Sequence, residues 1–112
     1  MTLKSMLLEE VPDIIKQLDE DAFLFMFRRE LTREERVTFK RQLLQVLPEM
    51  LDAFFQAKEE NPNPDIFPAD ATPGDIYWML GNFMQTMNDL ESQDPKEVAL
   101  FRFGGYLGYA YD

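Results

Sequence analysis

The chain has 112 residues, room for one domain (residues 1–112) and no second. Hydrophobic residues make up 46%, enough for one core without covalent staples, and the absence of cysteine removes disulfides and thiolate metal sites. The net charge of −10, from 21 acidic and 11 basic residues, argues against nucleic acid and anionic membrane as partners, since both are bound by Lys and Arg that neutralise phosphates.

Apolar residues recur at helical spacing along the chain, and no stretch alternates with the period of two expected of a half-buried strand. The first stripe is Leu3, Met6, Leu7, Val11, Ile14, Ile15 and Leu18. Pro12 interrupts it, either kinking one helix or opening a second at a position where its missing N–H costs nothing. Asp19, Glu20 and Asp21 then place negative charge ahead of residues 22–27, which suits a helix N-terminus. That run is apolar on all sides, so it is expected to be buried on several faces.

Thr32-Arg33-Glu34-Glu35 reads as a capping box opening a long helix. Its core face is Leu43, Leu44, Leu47, Met50, Leu51, Phe54 and Phe55; its opposite face is Gln42, Gln45, Glu49, Asp52 and Gln56. Pro48 falls inside this pattern and cannot donate to the Leu44 carbonyl, so a bend is expected there. Residues 60–72 read as one long loop stiffened by Pro62, Pro64 and Pro68. Thr72-Pro73-Gly74-Asp75 starts a fourth helix, with a core stripe of Ile76, Leu80, Phe83, Met84, Met87 and Leu90.

Asp94-Pro95 opens the last helix in the same way. Val98, Phe101, Gly105 and Tyr109 form one apolar side, and Leu100, Phe103 and Leu107 another, so this helix must be central or must cover a partner. Gly104, Gly105 and Gly108 lower helix propensity, a cost that points to close helix–helix approach. The fold expected is all-α: a single compact, bundle-like domain of four to five helices.

Catalytic equipment is missing from the composition. There is no His or Cys, and neither Ser5 nor Ser92 lies in a nucleophile-elbow context. Gly-rich phosphate loops and calcium loops are absent as motifs, so no catalytic residue, no metal and no cofactor are expected. Residues 22–27 are far shorter than the roughly 20 apolar residues of a membrane span. The first residues meet Glu9 and Glu10 before any signal-peptide-like run, so the expected place of action is cytosolic.

What remains is a binding surface. Trp78, Asn82, Gln85 and Asp89 fall opposite the fourth helix's core stripe, so the only tryptophan points away from that helix's core. It is either a contact residue or is covered by the loop through Ile66 or Phe67. Glu59, Glu60, Asp65, Asp70 and Asp75 surround that loop with only Lys58 for balance, a surface that would steer a basic partner or serve solubility alone. Residues 28–41 run the other way, with six basic residues against three acidic ones. Such a stretch reads as an internally paired, solvated face or as one half of a homodimer contact.

Lys40-Arg41-Gln42-Leu43, then Leu80-Gly81-Asn82, then Asp94-Pro95-Lys96-Glu97 and Gly105-Tyr106 have an order and spacing that suggest a known pattern. Over residues 35–110 the chain resembles the small helical immunity proteins of type VI secretion effectors, those paired with NAD-degrading toxins. In that family a Gln-Leu pair lies on a long helix, a Leu-Gly opens the next, and Asp-Pro starts the last. The resemblance implies a stoichiometric inhibitor that occludes its toxin's active site and does no chemistry. Two other readings compete: a phage-encoded acidic mimic of nucleic acid (an anti-CRISPR or antirestriction protein) and a self-assembling adaptor. The basic stretch at residues 28–41 argues against the mimic.

Overall fold

The computed structural model describes residues 3–60 and 73–110. Five helices follow one another: α1 (Leu3–Lys16), α2 (Glu20–Phe27), α3 (Arg33–Glu60), α4 (Pro73–Met87) and α5 (Pro95–Ala110), with no strand among the described residues. The radius of gyration is 13.8 Å, close to the roughly 13 Å expected of a chain this long folded around one core.

Local sequence chemistry sets most helix ends. Pro12 sits inside one continuous α1, leaving the Leu8 carbonyl without its usual donor on a half-exposed side of the helix. The Asp19 carboxylate accepts from the Ala22 amide at 2.9 Å and caps α2, while Glu20 and Asp21 face the positive end of its dipole. The capping box is formed as the sequence indicates: the Glu35 amide donates to the Thr32 hydroxyl at 3.1 Å and the Thr32 amide to the Glu35 carboxylate at 3.0 Å. α3 runs through Pro48 without interruption, and Pro73 and Pro95 occupy the first turns of α4 and α5.

The core is a single apolar cluster with no buried polar or charged side chain among the described residues. α3 contributes Phe39, Leu43, Leu47, Leu51 and Phe54; Leu44, Met50 and Phe55 lie only partly buried at its margins. α5 is central, touching α2, α3 and α4, and buries Leu100, Phe103 and Leu107 fully. Its second apolar side stays half open at Val98 and Phe101 and ends at Tyr109, which is 67% exposed.

Two assignments on α4 change. Met87 and Leu90 are exposed: Met87 ends α4 at a groove between α3 and the start of α5, and Leu90 lies beyond the helix. Tyr77, absent from the expected stripe, is buried, and its hydroxyl donates to the Glu10 carboxylate, tying α4 to α1.

The most extensive helix contact is α4 on α5. A methyl carbon built on Gly81 would sit 2.5 Å from the Gly104 carbonyl oxygen, and one on Gly104 would sit 2.6 Å from the Gly81 carbonyl oxygen. The two backbones touch where neither has a side chain. Gly105 makes room for the Gln85 side chain, whereas a Cβ on Gly108 would meet nothing within 4 Å.

Four of the six bases in residues 28–41 are engaged within the fold. Arg29 pairs with Glu35 at 2.8 Å, and Arg36 donates to the Leu31 carbonyl at 2.9 Å. Lys40 donates to the Lys16 carbonyl at the end of α1 and lies over the Phe23 ring. Arg28 takes a left-handed conformation (φ 58°) that closes α2, with its guanidinium over Phe25. From α5, Arg102 donates to the Met26 carbonyl at 2.5 Å and covers Phe27, holding the last turn of α2 against α5.

Candidate partner-binding surface

α4 presents Asp75, Trp78 and Asn82 on its outer side, all exposed. Spacing of three and four puts them on one face, and the core on the far side is why nothing on α4 itself covers them. Trp78 is 46% exposed, a large apolar group left half in water. Asp75 lies in the first turn, where its charge complements the helix dipole.

Two other members of the expected set have different positions. Gln85 is half buried and lies against Gly104 and Gly105, so it braces α4 on α5. Asp89 lies beyond the end of α4, not on its face. Its carboxylate accepts from the Glu91 amide at 2.9 Å, and its own amide donates to Glu97 at 2.9 Å, building the turn into α5. Glu59 and Glu60 are exposed at the end of α3. Asp65 and Asp70, with Ile66 and Phe67 as candidate covers for Trp78, lie outside the described residues.

One aromatic edge is legible only in three dimensions. Gly81 opposes Gly104 and Gly108, and Gln85 opposes Gly104 and Gly105, so α4 and α5 run antiparallel. That register puts the Trp78 end of α4 beside the Gly108–Tyr109 end of α5. Tyr109 stacks on Phe25 of α2 with ring centroids 4.4 Å apart, and Arg28 stands over that same ring at 5.4 Å. The edge so formed combines Tyr109, Phe25 and Arg28, with open space at Gly108. The expected second apolar side of α5 was the signal for it; the α2 contribution had none.

Electrostatically the pair at Arg29 and Glu35 stands out. The hydrogen bond from Arg29, then that from the Thr32 amide, lowers the Glu35 pKa to about 2. Arg102 moves down from its ordinary value because burial disfavours its charge, with Arg29 nearby adding to the effect. Glu35 lines a groove over Phe27 and Phe39 together with Glu34, Thr38 and Ser92. Among the described residues no group of three or more His, Cys, Asp or Glu side chains is placed to hold a metal ion.

Of the family-like segments, Asp94-Pro95 does start α5, but Leu80-Gly81 lies in the middle of α4 and not at its opening. No protein-family model, curated protein or solved structure matches the chain.

Proposed function

We propose that this chain is an immunity-type antagonist: a non-catalytic protein that binds a toxin with a basic surface and occludes its active site. Half-exposed Trp78 is the observation that carries the reading. An indole left in water on a well-packed helix is a large, stiff anchor that gains most of its burial only on association. The remaining support is the net charge of −10, the absence of His and Cys, and the resemblance over residues 35–110.

In this reading Trp78 and Asn82 form the desolvated centre, with Tyr109 alongside. The acids Glu59, Glu60, Asp65, Asp70 and Asp75 steer the basic partner and raise its association rate. Gln85 positions the face by bracing α4, and Asp89 shapes the neighbouring turn. The protein acts in the cytosol, on a protein and not on nucleic acid or membrane, and is not consumed.

The test is parallel purification of tagged wild-type and Trp78→Ala chains from native cells, followed by kinetics on the recovered partner. A basic protein should be recovered at one-to-one ratio by the wild type, with its activity blocked stoichiometrically. Trp78→Ala should weaken binding by at least about 2 kcal/mol, roughly 30-fold, mainly through faster dissociation. Equal affinity of the variant would remove Trp78 from the interface, and multiple-turnover inactivation of the partner would overturn the non-catalytic reading.

A further inference from the structure

A second surface lies on the other side of α4. Met87 follows Trp78 by about two and a half helical turns, so it emerges on the opposite side of the helix. There it is 57% exposed, with Leu90 42% exposed just beyond the helix end. Met87 lines a groove of about 530 Å³ between α3 and the start of α5, together with Val46, Met50 and Leu100.

The charges around this groove are one-sided. Glu49 on α3 and Asp94 and Glu97 at the start of α5 line it, against one base, Lys96. Asp89 and Glu91 extend the acidic edge along the α4–α5 turn. Hydrogen bonds hold this edge in place before any partner arrives: Glu97 accepts from the Asp89 amide at 2.9 Å and from the Ser92 hydroxyl at 2.8 Å. Little ordering entropy is left to lose there on binding. The groove on α5's other side, over Phe27 and Phe39, carries a weaker bias, since of its two acids, Glu34 and Glu35, the second is paired with Arg29.

We infer that the Met87 groove is a docking site for a basic amphipathic helix of a partner protein. The apolar floor would take leucine-like anchors one turn apart, with the flexible thioethers of Met50 and Met87 adjusting to their shape. The acids would meet Lys and Arg flanking the anchors, Glu49 from α3 and Asp94 from the start of α5, while Glu97 holds the turn between them. An acidic segment would be repelled by the carboxylates on the rim.

The inference is independent of the Trp78 face and is tested separately. The probe is a tryptophan-free Leu/Lys peptide of about 18 residues, five helical turns, with leucines at i, i+3, i+4 and i+7. Binding to the full chain is followed by methionine-methyl NMR, with a scrambled peptide of identical composition as control. The Met87 and Met50 signals should move. Met87→Gln should weaken binding about tenfold, and Glu49→Lys about fivefold at low salt with the deficit shrinking as salt rises. Both residues lie at the surface or its margin, so melting temperatures should stay near wild type, and Trp78→Ala should bind the peptide normally. The inference is overturned if the scrambled peptide binds within about twofold, if neither substitution matters, or if Met87 shifts with protein concentration alone, which would make a second copy the occupant.

Discussion

Gly81→Ala puts a methyl carbon 2.5 Å from the Gly104 carbonyl oxygen and 3.0 Å from the Gly108 backbone nitrogen. Both neighbours are backbone in a regular helix, so relief requires α4 and α5 to separate by most of an ångström along their whole contact. Overpacking of this kind costs about 1–3 kcal/mol, and prying apart the fold's most extensive helix pair should place it at the upper end. The gain in helix propensity from Gly to Ala offsets about 1 kcal/mol. The net expectation is a loss of about 2 kcal/mol. For a chain of 112 residues that corresponds to a fall in Tm of about 8–9 °C. Gly108→Ala is the matched control, since its new methyl would meet nothing within 4 Å. It keeps only the propensity gain and should stabilise by about 0.5–1 kcal/mol. Urea and thermal unfolding of both variants give the comparison. If Gly81→Ala stabilises as Gly108→Ala does, the backbones do not touch at Gly81 and the register that aligns Trp78 with Tyr109 is wrong.

Phe54→Ala should cost about 3–5 kcal/mol because Phe54 is 1% exposed, while half-buried Phe83→Ala should cost about 1–2; denaturant titration separates them, and equal losses would misplace the core. Arg102→Leu removes the donor to the Met26 carbonyl and the cover over Phe27, and should cost about 1–2 kcal/mol by the same assay, with a change below about 0.5 refuting the clamp on α2. The Glu35 carboxyl should titrate near 2 by carbon NMR and move up towards the ordinary carboxylate range in Arg29→Ala. Because this pKa is depressed in the folded state, the pair's contribution to stability is present above the ordinary glutamate value and is lost as pH falls through about 2.

The fold also decides how its unusual charge distribution is used. Six bases in residues 28–41 read as an internally paired face or a dimer contact, and several are occupied with helix ends and rings. Lys40 reaches the last carbonyl of α1, and Arg102 reaches a late carbonyl of α2. Cations at helix C-termini satisfy orphan carbonyls and complement the dipole, so part of this positive charge is structural. Acids in the α4–α5 turn likewise hold backbone amides, as Asp89 and Asp94 do, but with 21 acids against 11 bases the protein's net charge is −10.

Helix count, helix ends and the main core stripes were determined by the sequence itself, since the signals are local. Thr32 and Glu35 lie within hydrogen-bonding reach once a helix starts there, and Asp19, Pro73 and Pro95 act within one turn of their own positions. Leu43, Leu47, Leu51 and Phe54 share a face whatever they pack against. The tertiary structure decided what periodicity cannot encode: where each apolar stripe finds cover. Met87 follows the same stripe as Leu80 and Met84, yet it is exposed because a groove between α3 and the start of α5 opens beneath the last turn of α4. Tyr77 is buried because α1 supplies Glu10 for its hydroxyl. Gln85 reads as a surface residue until Gly104 and Gly105 bring α5 against it, and Gly108, alike in sequence, has no such contact. A helix carries its own period, but the length and position of the elements beside it set which part of that period meets water.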